Sequence, residues 1–328
     1  MKNSADIRKE NKKKIYRFML NGQQYTKQQV AVNTGLSVAT CNTLLNEMQA
    51  KGIVLGETRQ LGEVGRSSVL YQINEEHESY LTVCFYIMRG KRYVEYTIFS
   101  ALRSILYQSK EEYSFISYEL LEANIANILQ QYANVSQVVV GTPSITEHGI
   151  IKYSDIPELE DVDLKERLVK RFRIGVLVEN DMHCMAYGYC KKTFTEDEVI
   201  TLAYYPSDVL PGTVTIHKGT IIKGANGIAG MTGFLPCDIK REKQSEMFNA
   251  DKCIPFIATT LCSIIALLNP SIVVLSGDLI NEKMLETVRE ICETNIPLEY
   301  LPQFEITDSF KEYLYEGMYQ LAIEKKEI

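Results

Sequence analysis

The stretch at residues 26–48, TKQQVAVNTGLSVATCNTLLNEM, holds two short helical patterns joined by Thr34-Gly35-Leu36-Ser37. Gly35 supplies the permissive backbone that a sharp turn between helices needs, and Ser37 can cap the second helix. In that second helix Cys41, Leu44, Leu45 and Met48 recur at i, i+3, i+4 and i+7, which makes one apolar face. The opposite face carries Val38, Ala39, Thr40, Asn42, Thr43 and Asn46, all small or amide-bearing. A slim polar outer face just after a glycine turn is the shape of a helix that enters a DNA major groove. A helical hairpin that only packs would give the same pattern, so the flanking sequence has to decide.

Those flanks extend the pattern. Residues 7–20 form a helical repeat with Ile15, Phe18, Met19 and Leu20 toward a core and Lys9, Lys12, Lys13, Lys14 and Arg17 beside it. After residue 52 come two short strands, 53–55 and 69–73, separated by a polar loop with Gly62, Gly65, Arg66, Ser67 and Ser68. Three helices followed by a hairpin with a Gly/Arg tip make a winged helix-turn-helix. Asn74-Glu75-Glu76 reads as the linker, which divides the chain into a DNA-binding domain at 1–75 and a body at 76–328.

Charge follows the same division. Residues 1–75 hold eleven Lys/Arg against six Asp/Glu, whereas the whole chain has a net charge of −7. A basic head on an acidic body presents only the head to a polyanion. Phosphate contacts are expected from Lys12, Lys13, Lys14, Lys27 and Arg66. The DNA-facing set also takes in Thr26, Ser37, Val38, Ala39, Thr40, Asn42, Thr43 and Ser67. Asn42 could pair with adenine N6/N7, and Ala39 or Thr40 could touch a thymine methyl. No Arg or Lys lies on the second helix before Lys51, which moves guanine reading or minor-groove contact toward Arg66. A single winged helix buries little surface, so a homodimer or homotetramer on a two-fold site is expected.

The body alternates helical and strand-like runs, with buried strands at 138–140, 176–178, 199–205 and 272–275. Antiparallel strands followed twice by alternating helix and strand imply an α/β body of two related lobes around a cleft. Eight cysteines are scattered without a CxxC pair, and read as buried thiols. No apolar run reaches the roughly 18 residues of a membrane span, and the basic start has no apolar signal core. A cytoplasmic location is the expectation.

Taken together, the pieces resemble the ROK family of sugar kinases and sugar-responsive repressors. The resemblance lies in the winged head and in four body stretches in order: VVVGTPSITEHGIIKYSDIP, VLVENDMHCMAYG, GTIIKGANGIAGMTGFLP and IIALLNPSIVVLSGDLI. It implies an actin-like, ribonuclease-H-like body. It also implies that Asn180 and Asp181, with Glu179 beside them, occupy the sugar site, where the family's Asp takes a proton from a sugar hydroxyl. Asn180 or Asp181 could equally cap the helix that follows.

The sequence departs from the family at two places. Where the kinases carry an Asp and a Gly-Gly-Thr phosphate turn, this chain reads Phe85-Tyr86-Ile87-Met88-Arg89-Gly90-Lys91. Where the family has a Glu and a His three residues later, Met231 and Phe234 stand, and Cys237 alone remains of the zinc cysteines. Neither a bound metal nor a cofactor is expected. The expectation is a non-enzymatic regulator that represses carbohydrate genes through a sugar or sugar-phosphate effector. A ligand-free dimerisation scaffold and an active sugar kinase are the alternatives.

Overall fold

A computed structural model describes residues 3–60, 67–88, 90–193, 198–207, 209–236, 241–249 and 252–325. Helix α1 (Ser4–Met19) opens on a capping box between Asn3 and Asp6. Strand β1 (Tyr25–Thr26) runs into α2 (Lys27–Thr34), which Gly35 ends in the left-handed conformation at φ 68°. Helix α3 (Val38–Ala50) starts on Ser37, whose hydroxyl accepts from Thr40 N at 3.1 Å. Its face of Cys41, Leu44, Leu45 and Met48 is fully buried. Strands β2 (Val54–Gln60) and β3 (Ser67–Ile73) pair antiparallel, and β1 joins the far edge of β3. The result is a winged helix-turn-helix; the expected tip with Gly62, Gly65 and Arg66 lies outside the described residues.

The body begins with three antiparallel strands, β4 (Ser79–Met88), β5 (Lys91–Ser100) and β6 (Ile105–Tyr113). Then follow α4 (Tyr118–Gln131), β7 (Val135–Thr142), a hairpin of β8 (Ser144–Glu147) and β9 (Ile150–Ser154), α5 (Leu164–Phe172), β10 (Gly175–Asn180) and α6 (Asp181–Lys192). The sheet order is β10-β7-β4-β5-β6, with β7 parallel to both β4 and β10. Strand β7 is buried on both faces. Val138 and Val140 pack with α4 and α5, and Val139 packs with α6, which is why its sequence is a continuous apolar run.

The second lobe repeats the plan. It holds β11 (Val199–Tyr204), β12 (Gly212–His217), β13 (Thr220–Ile221), α7 (Arg241–Gln244), α8 (Cys253–Leu268), β14 (Ile272–Ser276), α9 (Glu282–Asn295) and β15 (Gln303–Ile306), after which α10 (Phe310–Lys325) returns to pack on β4 and β7 of the first lobe. Its sheet order, β13-β12-β11-β14-β15, matches that of the first lobe strand for strand. Two such sheets make the actin-like, ribonuclease-H-like body. Helix α8 is core on one side, through Phe256, Ile257, Leu261 and Ile265, while Leu267 at its end is 78% exposed.

Helices α6 and α10 cross between the lobes at two glycines. A Cβ on Gly188 would run into the Tyr313 carbonyl oxygen, and one on Gly317 into that of Cys184. The two backbones therefore touch, and only glycine permits it. The head is seated on this same layer, since Ile15, Tyr16 and Met19 of α1 share one buried apolar cluster with Tyr80, Phe99 and Tyr319. Inside that seam the Tyr16 hydroxyl donates to Glu78 Oε1 at 2.7 Å and lies 3.0 Å from the Tyr80 hydroxyl. Ser136 holds the other Glu78 oxygen at 2.9 Å. The expected linker is a bonded turn: Asn74 Nδ2 donates to Gly52 O at 2.8 Å, and Ser100 Oγ to Glu75 Oε1 at 2.6 Å.

Candidate functional site

On the head, the polar residues that the sequence singles out divide into caps and an open face. Thr26 caps α2 in a capping box with Gln29, and Ser37 caps α3. The Ser37 and Thr40 hydroxyls are 2.8 Å apart. Val38, Ala39, Asn42, Thr43 and Asn46 are exposed, and Ser67 is exposed at the start of β3. Thr43 turns its hydroxyl hydrogen inward to Ala39 O at 3.2 Å.

Charges border this face unequally. Lys12 is paired with Glu47 Oε2 at 2.9 Å, and Arg8 binds the other oxygen of the same carboxylate. Burial, then Lys51 and Arg8 nearby, lower the Lys12 pKa. Both residues thus tie α1 to α3 and neutralise an acid on the second helix of the motif, so Lys12 is not the open phosphate contact expected of it. Lys27 comes the other way. From the first position of α2 it donates to Asn42 Oδ1, with its ammonium 5.4 Å from the centre of the Tyr71 ring. The Tyr71 hydroxyl donates to Asn46 Oδ1 at 3.4 Å.

Between the lobes lies a cavity of about 460 Å³ at the carboxyl ends of β4, β10, β11 and β14. Asn180 and Asp181 line it together with Asp155, Tyr86, Tyr204 and Phe310. Asn180 also caps α6: its Oδ1 accepts from His183 N at 3.1 Å, and its Nδ2 donates to Ser144 O at 3.0 Å. Capping and cleft-lining coincide in this one residue. Asp181 accepts a hydrogen bond from Met182 N at 2.7 Å. Burial, with Asp155 adding to it, pushes the Asp181 carboxyl up to about 7. Glu179, by contrast, is not among the lining residues. It is held by His183 Nδ1 at 2.9 Å and by Lys223. Burial opposes its ionisation, but these two donors outweigh it and bring its pKa down to about 2.

Met231 and Gly233 line the cavity, while Phe234 is 41% exposed and stacks edge-on against Tyr153. At the β4–β5 turn Lys91 pairs with Glu112 at 2.9 Å. Arg89 and Cys237 lie outside the described residues. Among the described residues no group of three His, Cys, Asp or Glu side chains is placed to hold a metal ion.

The sequence pattern of the ROK family matches residues 84–255, and a winged helix-turn-helix DNA-binding pattern matches residues 8–54. The chain belongs to the ROK family. A relative, the xylose repressor of Staphylococcus xylosus, is 26% identical over 250 residues, covering 68% of this chain and 60% of the relative. The chain thus spans less than two thirds of the length of that relative. Among solved structures, a ROK family transcriptional regulator, described as a homolog of the E. coli MLC protein, superposes with a TM-score of 0.67 at 15% identity. That match covers 98% of this chain and 100% of the other. A ROK family glucokinase from Streptomyces griseus, in complex with glucose and AMPPNP, gives 0.57 at 15% identity, covering 74% of this chain and 99% of the other. These likenesses establish the fold.

Within this ROK chain, sequence reasoning missed most of the cavity wall. Asp155 follows β9 in a Ser-Asp step, and Tyr204 closes β11 in a Tyr-Tyr-Pro run. Both sit where strands end, which is the signal that could have found them. Lys110, Phe310 and Lys311 also line the cavity from β6 and α10, and carried no such signal. Lys311 pairs with Glu95 at 3.2 Å, and Lys110 lies over the Tyr86 and Tyr93 rings.

Proposed function

We propose that this ROK chain is a DNA-binding repressor of carbohydrate-utilisation genes, with a head at 1–75 and a ligand-sensing body at 76–328. The carrying observation is the contrast between an exposed α3 face, framed by Lys27, and a cleft that carries Tyr86 and Met88 at the end of β4. The 26%-identical relative named as a xylose repressor supports the reading. In this reading Thr26, Lys27, Ser37, Val38, Ala39, Thr40, Asn42, Thr43, Arg66 and Ser67 face the operator. The protein works in the cytoplasm as a homodimer or homotetramer on a two-fold site. Among the described residues no helix is long and apolar enough to cross a membrane.

The cleft takes a sugar at Asn180 and Asp181 and does not phosphorylate it. Phosphoryl transfer needs backbone N–H groups converging on phosphates and a carboxylate for magnesium. Tyr86 and Met88 stand at the strand end where those would be. The charge balance favours an unphosphorylated sugar over a sugar phosphate. Among the described residues, Asp155, Asp181, Asp278 and Asp308 line the cavity against Lys110 and Lys311, both already engaged.

The ligand reaches the head through α10. Phe310 and Leu314 line the cavity, and two turns further on Tyr319 packs edge-on against Tyr80, which touches Tyr16 of α1. For this to regulate, the sugar must bind one placement of the head better than another.

The test begins by selecting DNA from a random pool with the full chain. Selected sites are then titrated at fixed salt with and without pentoses, hexoses and their phosphates. Enrichment of a two-fold sequence, released by a free sugar, is the expected result; an unselective protein would sink the repressor reading. A coupled ATPase assay on the same sugars should stay silent, and turnover abolished by Asp181→Ala would restore a kinase.

A further inference from the structure

The Lys27–Asn42 contact constrains what the head can read. An ammonium group has three donors and no acceptor, so the amide atom that faces it must be the oxygen. Asn42 is exposed on α3, and with its Oδ1 turned to Lys27 its NH2 group is the end left for a partner. Lys27 is itself steadied by the Tyr71 ring beneath it. Tyr71 is buried and pairs with Tyr25 in the β1–β3 ladder, so the seat of the ammonium is part of the sheet.

We propose that Lys27 and Asn42 read guanine as one donor pair, with Lys27 fixing the Asn42 amide so that its NH2 faces the major groove. Guanine offers two acceptors there, N7 and O6, whereas adenine offers N7 beside an N6 donor. A free Asn pairs with adenine by using both amide atoms. The fixed one has its oxygen engaged and presents donors, with the Lys27 ammonium alongside, to a base edge made of acceptors. This replaces the adenine pairing that Asn42 alone implies. It also supplies the reading face with the cation that α3 lacks before Lys51, delivered from the start of α2. On the neighbouring stripe, Thr43 has its hydrogen committed to Ala39 O and offers an oxygen acceptor, which suits the NH2 of a cytosine or adenine one step away.

The inference rests on the DNA-binding reading, and the two fail differently. The full chain is used to select sites from a random pool, and binding is then titrated at fixed salt on duplexes changed one base at a time. The expected result is one guanine per half-site whose replacement by adenine, or by 7-deazaguanine, weakens binding about tenfold or more. Lys27→Met should collapse or reverse that guanine-to-adenine ratio, because it frees Asn42. A Lys27→Met loss that is equal for all sequences and lowers the salt slope by about one would mark a phosphate contact and overturn the proposal. A wild-type preference for adenine at that position would overturn it too. If no sequence is selected at all, the DNA-binding reading falls along with it.

Discussion

The face of α3 and the cleft between the lobes handle polar groups in opposite ways. On the head, the caps and amides sit in water and are held by bonds to neighbouring polar groups, such as Ser37 to Thr40 and Lys27 to Asn42. Each such bond adds little to stability, since water competes for both partners. Their value lies in which atom is left pointing outward. At the cleft and just behind it two carboxylates are desolvated, and burial and neighbours together set their protonation. Glu179 and Asp181 flank the same Asn180, yet one is pulled down by His183 and Lys223 and the other is pushed up by burial. Head chemistry should therefore respond to salt, and cleft chemistry to pH.

The largest effect tests whether the cleft depends on the helix crossing. Gly317→Ala places a methyl on the Cys184 carbonyl, and the helices must part. A loss of about 3 kcal/mol or more is expected in denaturant titration, with any sugar-induced thermal shift abolished. An unchanged midpoint would show that the two backbones do not touch.

Next come the two carboxylates, measured as stability against pH. Asp181 has a raised folded pKa, so its ionisation costs stability as the pH climbs from about 4 to about 7. Asp181→Asn should stabilise the protein above neutrality, by on the order of 2 kcal/mol, and have little effect at pH 4. Glu179 has a depressed folded pKa, so its contribution is present above about 4.5 and is lost as the pH falls toward 2. Glu179→Gln should therefore destabilise at pH 7 by on the order of 2 kcal/mol, the difference closing in acid. If both variants shift stability in the same direction at pH 7, the two carboxylates do not sit in opposing environments.

Smaller again is Tyr16→Phe, which removes a donor from buried Glu78 at the seam between head and body. It should cost about 1–2 kcal/mol and reduce sugar release of DNA, while DNA affinity without sugar is kept. Release unchanged would place the coupling elsewhere. Ser37→Ala, on the exposed face, should cost about 1 kcal/mol through the lost cap and show no pH dependence between 5 and 8.

Much of the architecture could be read from the sequence wherever one face of an element is buried. The four apolar positions of α3 obey the helical period, and β7 and β10 read as buried strands because helices cover both faces of their sheet. The hairpin β8–β9 and the short edge strand β15, QFEI, carry mixed polarity and go unseen. The cavity was legible where the family pattern marked it, at Asn180, Asp181, Met231 and the run at 85–88. Tyr204, Asp155 and Phe310 converge from three elements, and convergence is a property of the fold. The same holds for Lys27 and Asn42, fifteen residues apart and on different helices. Local pattern names the helix; it does not say what leans on it.

Helix α10 can be viewed as a beam on a knife-edge. Its sixteen residues span about 24 Å, and Gly317 lies close to the middle, where the beam rests on α6. The arm to Phe310 is roughly 10 Å, so a tilt of about 5° would move that ring by about 1 Å, and Tyr319, about 3 Å beyond the fulcrum, by about 0.3 Å in the opposite sense. A fulcrum made of bare backbone has no side chain to cushion or absorb such a tilt. In the proposed reading, what enters at one side as a displaced aromatic ring would leave at the other as pressure on the tyrosines that seat the head.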